Sequence, residues 1–191
     1  MPRKPRMLVN GGFYHLIARG NNCQNVFDKR IDYEIFKDLL RRSKKFFCWK
    51  LHHYCLMPNH FHVLAQIESG RDLPKLMQFV LHGYSRYYIK KVGYVGHLWQ
   101  GRYKSPLITR ESYLFECGRY IERNPIRAGL CVDLSDYPWS SYFYYAHSIV
   151  DDLIDEDPYY QTTGLTLAER QMRYRDFVSL VPASGARLRS W

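Results

Sequence analysis

Two β-leaning runs at residues 49–56 and 60–67, separated only by Met57-Pro58-Asn59, constrain this chain most. Proline presets one backbone angle and asparagine favours the turn, so the two runs read as a β-hairpin. In the second run, side chains two apart share a face: Phe61, Val63, Ala65 and Ile67 point one way, His60 and His62 the other. One face is apolar core, and the other offers two imidazoles.

The flanking chain supplies the rest of a sheet and its helices. After Gly11-Gly12, residues 13–19 alternate as a strand that Gly20-Asn21-Asn22 closes. Residues 32–47 place Ile35, Leu39 and Leu40 at helical spacing, with Lys37, Arg41, Arg42, Lys44 and Lys45 on a solvated opposite face. Asp72 is expected to cap a helix built on Leu73, Leu76, Met77, Val80 and Tyr84 that runs to about residue 91 and ends at Gly93 and Gly96. A basic, aromatic loop over 97–105 enters a short strand, and residues 112–123 are helical until Asn124-Pro125 stops them, because proline pushes its predecessor out of the α region. The order β, α, β, β, α, β, α predicts a split β-α-β antiparallel sheet. Residues 148–164 read as an acidic loop or linker, 166–180 as a further helix and 183–191 as a loose end. The expected division is a catalytic domain over 1–147 and a linker with helical tail over 148–191.

At 191 residues and 46% hydrophobic composition, the chain has enough material for a core without disulfides. Five scattered cysteines with no C-x-x-C pair read as reduced core residues. No apolar run approaches a membrane span and no apolar signal region follows the basic leader, so a cytoplasmic protein with no membrane partner is expected. Charge is unevenly placed: residues 1–130 carry 23 basic and 9 acidic side chains, residues 131–191 carry 5 and 9. Such a basic body fits a polyanionic partner, since each neutralised phosphate releases a counterion, although charge also serves simply to keep a protein dissolved.

His60 and His62 form a bidentate platform for a divalent ion or a structural histidine pair. Tyr120 and Asn124, four apart, share a helix face; Asn124 can offer a carbonyl oxygen and Tyr120 a phenol, a weak nucleophile until it is activated. In a chain with 17 tyrosines, a helical tyrosine that merely packs is the competing reading.

Three strings in order, Met57-Pro58-Asn59-His60-Phe61-His62-Val63-Leu64, Trp99-Gln100-Gly101-Arg102-Tyr103-Lys104-Ser105 and Tyr120-Ile121-x-x-Asn124-Pro125-x-x-Ala128-Gly129-Leu130, resemble the REP-associated tyrosine transposases. These belong to the single-tyrosine HUH superfamily, with the insertion-sequence transposases. Trp139-Ser140-Ser141-Tyr142 also fits, and the similarity spans roughly residues 8–145. The resemblance implies an α+β, ferredoxin-like fold, its antiparallel sheet carrying helices on one face, with a C-terminal helical extension. It implies metal-dependent cleavage and rejoining of single-stranded DNA at hairpin-forming REP-like repeats, by a monomer or homodimer of the bacterial nucleoid. His60 and His62 match the metal pair, with Asn124 as third ligand where relatives more often have Gln. Tyr120 matches the nucleophile, and Mg²⁺ or Mn²⁺ the ion, with a 5′-phosphotyrosine intermediate. Arg3, Lys4, Arg6, Arg102, Lys104, Arg123 and Arg127 are the candidate phosphate contacts, and Trp99 and Tyr103 the candidate base-stacking rings. A non-catalytic hairpin-binding module and a nuclease using water in place of Tyr120 are the alternatives. A structural zinc site lacks any suitably spaced cysteine.

Overall fold

The computed structural model describes residues 6–110 and 112–180. Four strands form one antiparallel sheet: β1 (Gly12–Arg19), β2 (Trp49–Met57), β3 (His60–Ile67) and β4 (Leu107–Ile108), in the order β2-β3-β1-β4. β2 and β3 are the hairpin, with Met57 paired to His60 across Pro58-Asn59. β4 is short, but the preceding chain follows β1 irregularly, with Lys104 and Ile17 exchanging backbone hydrogen bonds of 2.8 and 3.0 Å. This is the split β-α-β arrangement that the order of elements predicts.

Helices α1 (Arg30–Ser43) and α2 (Leu73–Val92) cover the face that carries Tyr14, Leu16, Ala18, Phe61, Val63 and Ala65. α1 starts two residues before the expected position because the Asp32 carboxylate accepts from the backbone N–H groups of Asp28 and Lys29 at 2.9 and 2.8 Å. It ends at Ser43, where bonds such as Phe46 N–H to Ser43 C=O tighten the chain towards β2. Asp72 does not cap α2 with its side chain; a tight turn over Gly70–Asp72 leads into the helix. Gly93, at φ +64°, closes α2 in the left-handed conformation that glycine adopts without strain.

The second face of the sheet is partly covered too. α3 (Ser112–Glu122) lays Leu114, Cys117 and Ile121 over Cys55, Met57 and Leu64. Gly118 permits this approach, since a Cβ there would lie 2.7 Å from the His53 ring. α3 breaks at Arg123, and α4 (Asn124–Arg127) follows with Pro125 in its first turn, where the missing N–H costs nothing. Helices on one face therefore describes α1 and α2, while α3 adds a partial layer opposite. Of the five cysteines, Cys55 and Cys117 are buried, whereas Cys23 and Cys48 are exposed and Cys131 half-buried, so only two are core residues.

The remaining chain wraps the β2 side. Residues 139–141 run along the outer edge of β2, with Leu56 N–H donating to Trp139 C=O at 2.9 Å and Ser141 N–H to Tyr54 C=O at 3.0 Å. The acidic stretch is irregular, as expected, yet anchored. Asp151 pairs with Lys37, Asp152 with Arg41 and Asp155 with Lys44, so part of the basic face of α1 is covered where solvent was expected. Helices α5 (Tyr142–His147) and α6 (Leu167–Ser179) share a cluster of Tyr142, Tyr145, Tyr160, Tyr174 and Val178. Thr166 caps α6, accepting from the N–H of Glu169 at 3.2 Å. The loose end assigned to 183–191 lies outside the described residues. Among those described, no helix is long and apolar enough to cross a membrane.

Between α3, β2 and this C-terminal region lies a fully buried charged cluster. His53 meets Glu122 through Nδ1 at 2.9 Å and Asp157 through Nε2 at 3.2 Å. Burial alone would push the imidazole pKa down, but the hydrogen bonds and charges of Asp157 and Glu122 raise it from 6.5 to about 9. A raised folded-state pKa stabilises fully below the ordinary value of 6.5, and that stabilisation is lost as pH climbs through about 9. Urea unfolding followed from pH 6 to 9.5 should therefore show wild-type stability falling by a few kcal/mol, with His53→Gln giving a flatter profile. Parallel profiles for the two proteins would contradict the charged state assigned to His53.

Candidate active site

The alternation of β3 brings the two histidines to the α3 side of the sheet, at the β2-β3 turn end. Opposite them on β1 stand Ile17, paired with His62, and Arg19, paired with His60. Tyr120 enters from α3, Asn124 and Arg127 from α4, and Gln100, Arg102 and Lys104 from the segment beside β1. Together they line a cavity of about 630 Å³. The ring of Tyr120 lies edge-on to both His62 and His15, with centroids 6.1 and 6.0 Å away. The Arg127 guanidinium sits 4.6 Å from the Tyr120 ring centroid.

Hydrogen bonds set the tautomers of the imidazoles. His60 Nδ1 is 2.6 Å from Asn59 Oδ1, which only accepts, so Nδ1 carries the proton and Nε2 keeps its lone pair. His62 Nδ1 is 2.8 Å from His15 Nε2, leaving His62 Nε2 for a ligand when Nδ1 is the donor. Burial pushes His15 down to about 4, and burial with the Arg19 charge does the same to His60. His62 lies well below its ordinary value through burial first, then the neighbouring His15, His60, Arg127 and Arg19. All three rings are therefore neutral near pH 7, the form that binds metal.

Asn124 completes a plausible donor set. Its Nδ2 donates to the backbone oxygens of Tyr120 and Ile121 at 2.9 and 3.0 Å, capping the end of α3 and leaving Oδ1 as the atom that could face an ion. Two imidazole nitrogens and an amide oxygen, oriented by bonds from Asn59, His15 and the end of α3, fit a divalent ion of intermediate hardness.

The remaining sequence candidates divide. Arg102, Lys104 and Arg127 line this cavity. Arg6 lies elsewhere, its guanidinium 3.9 Å from the Tyr103 ring centroid, and both border a separate groove of about 770 Å³ between α2 and residues 96–103. Trp99 reaches into the helical layer, donating from Nε1 to Leu81 C=O at 3.2 Å with its ring 5.9 Å from those of Phe61 and Tyr84. Arg123 turns away from the histidines and donates to the carbonyls of Val178, Ser179 and Leu180 at the C-terminal end of α6. Arg3 and Lys4 lie outside the described residues. Sequence reasoning missed His15 and Arg19. The alternation of 13–19 places both on one face, but only strand pairing reveals that this face adjoins the histidine pair. Arg19 Nε is buried without a hydrogen-bond partner among the described residues, which suits an anionic ligand.

Residues 9–124 match the family described as Transposase IS200 like. Among solved structures, the chain is similar to a REP-associated tyrosine transposase bound to a REP hairpin, with 18% identity over 82% of this chain and 93% of that one and a TM-score of 0.64. A transposase structure from Deinococcus radiodurans shares 21% identity over 64% of this chain and 97% of its own, with a TM-score of 0.42. No curated protein matches the sequence significantly.

The contact between His15 and His62 gives a direct test. His15→Ala should weaken Mn²⁺ binding, measured by calorimetry, by about 10- to 100-fold, whereas His15→Gln, which can still accept from His62 Nδ1, should recover much of it. Equal affinity in all three proteins would show that His15 does not orient the ligand.

Proposed function

Because the chain belongs to the IS200-like transposase family, a family of DNA transposases, we propose that it cleaves and rejoins single-stranded DNA beside hairpin-forming repeats, with Tyr120 as nucleophile. The observation that carries this reading is the convergence of Tyr120, from α3, with His60 and His62, from β3, on one basic cavity. The similar protein bound to a REP hairpin supports repeats of that kind as the DNA partner.

The residues fit an in-line transfer. Arg19, Arg102 and Arg127 hold the phosphodiester in the cavity, with Lys104 on the same wall. The Tyr120 phenol attacks phosphorus; the phosphorus bond to the 3′ oxygen breaks as the bond to tyrosine forms. The phenol proton passes to water, and the departing 3′ oxygen takes one from water. The products are a 5′-phosphotyrosine and a free 3′-hydroxyl. The tyrosyl ester preserves the bond energy, so a 3′-hydroxyl can later attack it and restore a phosphodiester without a nucleotide cofactor. A Mg²⁺ or Mn²⁺ ion on His60, His62 and Asn124 would supply Lewis acidity at the scissile phosphate. His60 and His62 remain neutral for that role because burial and nearby arginines disfavour their protonation.

Incubation with labelled hairpin oligonucleotides bearing single-stranded flanks, in Mn²⁺ or Mg²⁺, should give a covalent protein–DNA adduct on a denaturing gel. The adduct should vanish in Tyr120→Phe and in EDTA. Strand cleavage that survives Tyr120→Phe would assign the attack to water, and tight binding with no adduct across many hairpins would leave a binding module. Arg102→Ala should weaken binding and reduce the slope of log affinity against log salt by about one, with folding unchanged.

A further inference from the structure

The most heavily desolvated polar cluster in the described residues has no place in the chemistry above. Glu122 is fully buried, yet three groups from three other elements reach it. Tyr174 OH of α6 donates to Oε2 at 2.7 Å, Ser141 Oγ to Oε1 at 2.5 Å, and His53 Nδ1 of β2 lies 2.9 Å from Oε1. Glu122 follows Tyr120 by two residues on α3, about 200° around the helix axis. The anchor therefore grips the side of the helix turned away from the phenol.

A second set of contacts joins the same two helices. Arg119 donates to Phe177 C=O at 3.3 Å, its guanidinium 4.5 Å from the Phe177 ring centroid, and Arg123 binds the carbonyls that follow. Phe115 stacks on Phe177 at 4.7 Å. Cations at the carbonyl end of α6 meet its negative dipole end. In contrast, the Tyr120 ring meets His15, His62 and Arg127 through ring contacts, and its hydroxyl has no hydrogen-bond partner among the described residues, so the rotation of α3 has a large say in where the phenol points.

We infer that α6 is a positioning element for the reaction: through Tyr174 and Glu122, with the arginine contacts beside them, it fixes the rotation of α3 and so aims Tyr120 at the histidine cavity. An apolar contact could hold the two helices together equally well. The directional bonds to Glu122 add a single allowed rotation, which greasy packing does not specify. This inference rests on Tyr120 as the nucleophile.

The test is Tyr174→Phe, which removes one hydroxyl and keeps the ring, with Ser141→Ala as a second variant and Arg41→Ala as a control that releases Asp152 without touching α3. With the hairpin oligonucleotide and Mn²⁺, single-turnover adduct formation at saturating DNA should slow about tenfold in Tyr174→Phe, a misaimed nucleophile being costly. Hairpin affinity should stay within about twofold. Backbone hydrogen exchange should quicken in α3 but not in α1 or α2, and Arg41→Ala should match wild type in rate and α3 exchange. An unchanged rate, or a rate loss matched by an equal loss of affinity, would overturn the inference. So would unaltered α3 exchange in both Tyr174→Phe and Ser141→Ala, a readout that needs no adduct. Absence of adduct in wild type would instead count against Tyr120 as nucleophile, leaving exchange to judge the coupling of α6 to α3.

Discussion

The contact between His53 and Glu122 is the constraint on which the architecture around the cavity depends. Both groups are withdrawn from water, where an unpaired charge is strongly unfavourable, so each requires the other, and Asp157 in turn requires His53. The contact can form only if α3 lies unusually close to β2, and Gly118 allows that approach. Once α3 is there, Leu114, Cys117 and Ile121 have a surface to cover, and the helix end reaches the histidine strand. Tyr174, Ser141 and Asp157 then bring the C-terminal third of the chain against the same point.

β3 divides the labour by its two-residue period. Its apolar side chains join the α1-α2 layer, while His60 and His62 are held neutral on the reverse by burial and by the cations around them. The environment that favours an anionic phosphate thus also keeps imidazole lone pairs available. Orientation comes from one residue apiece, Asn59 in the turn and His15 on the neighbouring strand.

Local pattern made much of this legible. The hairpin turn at Pro58-Asn59, the helical spacing of Leu73 to Tyr84 and the break at Asn124-Pro125 are short-range signals, and the corresponding elements lie within a few residues of their expected bounds. Tyr120 and Asn124 share a face because of their spacing, and the IS200-like family match agrees with the resemblance carried by the three motifs. What escaped depends on pairings between distant segments. Nothing near His15 says that it will meet His62, 47 residues on. Likewise, the acids at 151–155 look like solvated linker until Lys37, Arg41 and Lys44 are found against them. Trp99 and Arg123 look available for nucleic acid in composition alone, but tertiary packing turns the first to Leu81 and the second to the end of α6.

The outer margins of the sheet carry a separate consequence. β2 is flanked by the irregular segment 139–141, and β1 by a partner that is regular for only two residues. Strands left bare at a border are templates on which another polypeptide can extend the hydrogen-bonded ladder. Here both borders are occupied by segments too short and too kinked to propagate that ladder. Strand addition at these two borders is thereby disfavoured, even though the strands themselves are rich in β-forming residues.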